Sequence, residues 1–213
     1  MSLKKSCLLI ILVLIVDQLS KIYIKTNYQL YDKIVEYNWF ELYFVENSGM
    51  AWGATLPLKN GKLILTIFRI IAVLGIGYWL WDSFKKNASN YLTVAIALIF
   101  AGALGNIIDS VFYGVIFDHS QGQIATFLPD QPYGKWFYGD VVDMLYFPIW
   151  EGNLPEWLPF FGGKFFRFFN AIFNVADVAI STGVGILIVF NKRAFRTKKT
   201  TELPNIEEKT AVL

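Results

Sequence analysis

Phe173-Asn174-Val175-Ala176-Asp177-Val178-Ala179-Ile180 passes through Ser181 and Thr182 into the apolar run Gly183-Val184-Gly185-Ile186-Leu187-Ile188-Val189-Phe190. The segment reads as a membrane helix with a carboxylate at its head. Such a group costs several kcal/mol in hydrocarbon unless it is paired, protonated or turned to water. A second acid, Asp143 in Gly139-Asp140-Val141-Val142-Asp143-Met144, lies upstream in a turn-rich region outside any expected span. The expectation is that Asp143 and Asp177 converge at a membrane surface as an aspartyl proteolytic dyad, with the rest of the chain placing them there.

The chain of 213 residues is 55% apolar and 17% aromatic, and only 17% of it is charged. That charged share lies well below the quarter usual in soluble proteins, which points to an integral membrane protein. A net charge of +2 gives no reason to expect nucleic acid as a partner. Cys7 is the single cysteine and His119 the single histidine. A disulfide, a cysteine metal cluster, a zinc site and a Ser-His-Asp triad therefore find no support.

Working back from the last helix, four spans are expected at about 8–24, 63–81, 91–112 and 170–190, each near the ~20 residues a bilayer needs. The first follows Lys4 and Lys5 and contains Asp17 and Lys21 one turn apart; no small-residue cleavage site follows it, so it reads as an uncleaved helix. Between the spans lie outer loops at about 25–62 and 113–169. In the first, Trp39-Phe40-Glu41-Leu42-Tyr43-Phe44-Val45 is rich in strand formers, and Asn47-Ser48-Gly49 makes a turn. The second is long, aromatic and carries several prolines, and its Phe165–Phe169 stretch reads as an interfacial approach to the last span. The third span includes Asn106 and Asp109, and its small residues Gly102 and Gly105 permit close helix packing.

The fold expected is thus an all-α membrane protein of four transmembrane helices, with a small extracytoplasmic β-sheet and a long second outer loop. Residues 1–191 form one membrane domain, and 192–213 a basic, then polar and disordered cytoplasmic tail. Lys4 and Lys5, Lys85 and Lys86, and Lys192 through Lys199 all flank spans on one side. The positive-inside rule places that side and both termini in the cytoplasm. Asp17, Asn106, Asp109, Asn174 and Asp177 then share the outer level of the bilayer, where Asp143 reaches them from the loop.

Two close carboxylates tend to share one proton. The ionised member can take a proton from an attacking water, while the protonated one stabilises the oxyanion. Other readings stand beside this one. Asp17 and Lys21 suit an intrahelical ion pair, Asn106 and Asn174 suit bonds between helices, and Asp109 suits a helix-end cap or a pair with Arg69. The intramembrane acids could also serve a small proton or cation transporter component, or survive in a lipid-binding relative without activity.

At these residues the chain resembles the bacterial lipoprotein signal peptidase (signal peptidase II) family. Asp17-Gln18-Leu19-Ser20-Lys21 is similar to its first-helix motif, and Asn47-Ser48-Gly49-Met50-Ala51-Trp52-Gly53 to its Asn-x-Gly-x-Ala-Phe motif, with Trp52 for phenylalanine. Gly102-Ala103-Leu104-Gly105-Asn106-Ile107-Ile108-Asp109, Val141-Val142-Asp143-Met144 and Phe173-Asn174-Val175-Ala176-Asp177 resemble three further stretches, in the family's order. The resemblance implies an aspartic endopeptidase that cleaves signal peptides from prolipoproteins just before a diacylglyceryl-modified cysteine. It implies Asp143 and Asp177 as catalytic, with Asp17, Lys21, Asn47, Gly49, Asn106, Asp109, Asn174 and Ala176 supporting them or the substrate. It also implies no cofactor, membrane lipid as a partner, the cyclic peptide globomycin as inhibitor, and a site at the outer face of the bacterial inner membrane. Two departures stand out. Ser110 replaces the arginine that follows the Asp109 position in the family, so that residue's role passes to Arg69 or Arg167 or is lost. The intervals on either side of Asp143 are also longer than usual.

Overall fold

The computed structural model describes residues 1–48 and 60–196. Helix α1 spans Leu3–Asn27, α2 Gly61–Lys85 and α3 Asn90–Ile108. Helix α3 runs on through a π-helical turn, Asp109–Tyr113, into the short α4, Gly114–Ile116. Three helical stretches, Leu3–Asn27, Gly61–Lys85 and Asn90–Ile116, are long and apolar enough to cross a membrane. At 1.5 Å per residue the 25 residues of α1 reach about 37 Å, so the helices extend beyond the expected spans at both ends. Helix α5, Val175–Val189, has 15 residues and reaches only about 22 Å, and α6, Asn191–Ala194, follows directly. Helix α5 starts at Val175 rather than near 170, because Asn174 caps it and the residues just before form a strand.

Serine hydroxyls close the starts of two helices. The Lys5 amide donates to the Ser2 hydroxyl, and the Leu92 amide to the Ser89 hydroxyl at 3.2 Å. Helix α3 is the bundle's centre: Ala95, Ile96, Ala97 and Ala101 are fully buried. It meets α5 through small residues. A methyl group on Gly102 would run into the Ala176 carbonyl oxygen, and one on Gly183 would sit 2.6 Å from the Ala95 carbonyl oxygen. Outward, Phe68, Ile71, Leu74 and Tyr78 of α2 are exposed, as a lipid-facing surface requires.

The small sheet expected in the first loop also takes two strands from the second. Strands β1 (Lys33–Tyr37), β2 (Phe40–Asn47), β3 (Val141–Tyr146) and β6 (Ile172–Phe173) form one antiparallel sheet in the order β1-β2-β3-β6. Its register sets Val45 opposite Asp143 and Asn47 opposite Val141, with an irregularity between Leu42 and Val45. Asp143 therefore lies on a strand, not in a turn. Phe44, Val142 and Met144 pack on Ile24, Tyr113 and Phe117, which ties the sheet to the ends of α1 and α3. A separate two-stranded ribbon pairs β4 (Trp150–Asn153) with β5 (Phe165–Phe168). The Phe165–Phe169 stretch, expected as an approach to the last span, is thus mostly strand. Two expectations, the Gly49–Gly53 part of the loop motif and the tail beyond residue 196, lie outside the described residues.

Candidate active site

One end of the bundle gathers the polar side chains of α1, α3 and α5, and the sheet closes over them. The start of α5 is built as a reciprocal capping box: the Asp177 amide donates to Asn174 Oδ1 at 3.0 Å, and the Asn174 amide to Asp177 Oδ2 at 3.4 Å. Capping satisfies amides that the helix start leaves without partners, and here it also fixes the Asp177 carboxylate. The Asn174 side chain then faces the sheet. Its Nδ2 reaches Asp143 Oδ1 at 2.7 Å, Asn106 Oδ1 at 3.0 Å and the Val142 carbonyl at 3.2 Å. Asn106 Nδ2 donates to Asp177 Oδ1 at 2.8 Å. Asp143 and Asp177 are therefore held by one shared amide network, although 33 residues of chain separate them.

Behind this pair lies an ionic layer. Lys21 is fully buried and contacts Asp17 Oδ2 at 2.9 Å, Asp109 Oδ2 at 2.8 Å and Asn106 Oδ1 at 2.9 Å. Asp17 pairs within its helix as expected, and it does more: its Oδ1 accepts the Ala176 amide at 2.9 Å, capping α5 from a different helix. Ala176 thus takes part through its backbone. Asp109 stands at the end of α3, where its backbone amide bonds the Gly105 and Asn106 carbonyls, and its side-chain oxygens take Lys21, Gln18 Nε2 at 2.9 Å and the Val142 amide at 3.3 Å. Asp109 opens the π-helical turn, a distortion frequent at functional sites.

Gln18 was not singled out by the sequence argument, yet it links Asp17, Asp109 and the Gly105 carbonyl and accepts the Tyr113 hydroxyl at 3.2 Å. A polar residue beside Asp17 in an apolar run was the available signal. Asn47, from β2, donates to Asp143 Oδ2 at 3.3 Å. Of the two arginines weighed against the missing family arginine, Arg69 donates to the Ser110 hydroxyl at 3.4 Å and lies where Asp177 and Asp143 act on its charge. Arg167 is bound instead to Glu151 at 2.7 Å, on the ribbon.

The two acids differ in setting. Asp143 is buried, whereas Asp177 is partly open. Burial, and then the charge of Asp177, push the Asp143 carboxyl up to about 7; the amides of Asn47 and Asn174 and the charge of Lys21 offset this only in part. Near neutral pH the buried Asp143 can therefore hold a proton.

A model of the signal peptidase (SPase) II family matches residues 9–192. The chain is 48% identical over 183 residues to the lipoprotein signal peptidase of Porphyromonas gingivalis, covering 85% of this chain and 80% of that protein. It is 41% identical over 192 residues to that of Amoebophilus asiaticus, covering 86% and 75%. Among solved structures, one described as a bacterial membrane enzyme superposes with a TM-score of 0.60 at 28% identity, covering 94% of this chain and 95% of that one. With most of its length matched by the family model, and with relatives of this closeness, the chain belongs to the signal peptidase II family.

Proposed function

We propose that the protein is a membrane aspartyl endopeptidase that removes the signal peptide from diacylglyceryl-modified prolipoproteins, cutting just before the lipidated cysteine. The observation that carries this reading is the Asn106–Asn174 network, which binds both Asp143 and Asp177. Asp177, the more open of the two, takes a proton from the water that attacks the scissile carbonyl carbon. Asp143, protonated near neutral pH, stabilises the developing oxyanion and then supplies a proton as the C–N bond breaks and the amine leaves. Asn106 and Asn174 hold the carboxylates through both half-reactions, and Lys21 pairs with both Asp17 and Asp109 beneath them. Asn47 fixes Asp143 from the sheet. Arg69 adds positive charge on the side of the missing family arginine.

The same reading makes α5, with Phe190 and α6, the fourth crossing of a bacterial inner membrane. Both termini are then cytoplasmic and the sheet lies outside. The peptide enters at the outer lipid boundary, and globomycin competes for the same place.

Pure protein in lipid nanodiscs tests the proposal with a synthetic peptide carrying diacylglyceryl-cysteine, beside the same peptide without the lipid. The expected result is one cut, before the cysteine, in the lipidated peptide alone. Binding without turnover would instead mark a lipid-holding protein. A proton or cation relay has less support, since among the described residues the far halves of α1, α3 and α5 carry no acid.

A further inference from the structure

The β4–β5 ribbon is an excursion from a closed strand pair. It leaves just after Tyr146 and returns at Ile172, and these two residues are partners in the main sheet. Asp143 precedes the exit on β3, and Asp177 follows the return within the first turn of α5. Opposed residues of an antiparallel pair point to the same face, so the register sorts the ribbon. Trp150 opposite Phe168, with Gly152 opposite Phe166, makes one face; Glu151 opposite Arg167, with Asn153 opposite Phe165, makes the other. The first face is aromatic. The second carries the Arg167–Glu151 ion pair. The connecting loop is apolar at its tip, where Trp157 is 79% exposed and Phe160 90% exposed. Phe160 also holds a left-handed backbone (φ 68°) that disfavours an aromatic residue, and little of the described protein covers its ring. At the base, Phe147 stacks on Phe173, and Phe169 meets Phe173 edge-on, joining the ribbon to the sheet at the start of α5.

We propose that this ribbon is a lipid-inserting paddle, whose aromatic face and Trp157–Phe160 tip enter the acyl–headgroup boundary of the bilayer beside the active site. The occupant follows from continuity. The ribbon's return strand leads through β6 directly into α5, and α2 and α5 expose apolar side chains of the same kind where the chain faces lipid. An aromatic face of Trp150, Phe166 and Phe168, opposite one on which Glu151, Arg167 and Asn153 stand beside Phe165, suits an interface, because aromatic rings favour that depth. Between residues 147 and 173, Glu151 and Glu156 balance Lys164 and Arg167, so attachment depends on apolar burial rather than on anionic lipid. Through its short connections to β3 and α5, the seated paddle sets the height of Asp143 and Asp177 relative to the lipid surface.

Nitroxide labels test this in vesicles that contain no substrate. In a Cys7→Ser background, Trp157→Cys and Phe160→Cys are labelled separately, with Leu74→Cys on α2 as a lipid reference and Glu36→Cys on β1 as an aqueous one. Power saturation with oxygen and with a water-soluble nickel chelate then reports depth. Both paddle labels are expected to favour oxygen over nickel, at a ratio between those of the mid-span Leu74 label and the Glu36 label, and to keep that ratio in uncharged vesicles and in 1 M salt. Nickel accessibility like that of the Glu36 label would overturn the proposal, and so would protection from both reagents, which marks a covering protein or a second copy. The readout needs no turnover, so it stands or falls apart from the peptidase reading.

Discussion

Asn174 joins the start of the last helix to the sheet, since its Oδ1 caps α5 while its Nδ2 holds Asp143. Losing a helix cap costs ~1 kcal/mol, but losing the position of an acid costs rate, and misplacement by 1 Å can take about 10²-fold. Asn174→Ala should therefore lower kcat by about two orders of magnitude with a small change in KM and a modest loss of melting temperature. Steady-state cleavage and thermal unfolding measured together check this. Asp143 also ties activity and stability to pH. Its carboxyl is raised to about 7 by burial and by Asp177, so the shared proton is lost as pH climbs through that value, and cleavage should fall on the alkaline side. For stability the sign runs the same way. The neutral form favours the fold fully below the ordinary carboxylate pKa, and this contribution is lost as pH rises to about 7. Asp143→Asn should thus melt above the parent at pH 8 and lose that advantage at pH 4, as thermal scans at the two values would read.

The contacts between elements converge on Lys21, which binds α1 to α3 through Asp109 and lies beside the contact by which Asp17 caps α5. Removing one member of a buried ionic group leaves the others uncompensated, at about 3–5 kcal/mol. Lys21→Met should lower stability by that amount, measured by unfolding in detergent; adding Asp17→Asn and Asp109→Asn in the same chain should recover much of it. These elements were legible to different degrees in the sequence. The long helices were, because apolar runs broken by Asp17, Lys21, Asn106 and Asp109 announce both a span and its polar face. Strand β2 was legible in Phe40–Val45. Strand β3 was not: Val141–Tyr146 sits among turn residues, and its partners β2 and β6 lie far away or are only two residues long. The capping box was within reach at Asn174 and Asp177. The capping of α5 by Asp17 was not, because no local pattern couples residues 17 and 176.

At the scale of the whole molecule, the polar groups of three helices and the carboxylate of β3 occupy one end of the bundle, and the opposite end packs Leu80, Leu92 and Ala194 near the basic clusters. With the lysine-rich end inside the cell, an impermeant thiol reagent applied to intact spheroplasts should label Glu36→Cys and spare Lys86→Cys, in a Cys7→Ser background; the reverse pattern would invert the orientation. The candidate site was legible as a list of residues because each acid or amide was conspicuous against apolar neighbours. Its wiring depended on strand register and on the start of α5, which only the folded chain displays. Gln18 and Arg69 enter the site through helix packing instead, the first through contacts across α1 and α3, the second through its approach to Ser110.

The measurement that bears most directly on the dyad is turnover of the diacylglyceryl-cysteine peptide by Asp143→Asn and Asp177→Asn, each shown to be folded by its melting curve and by retained binding of the peptide. Loss of cleavage in both, with binding kept, is the predicted result. Cleavage near the parent rate by either folded variant would contradict it.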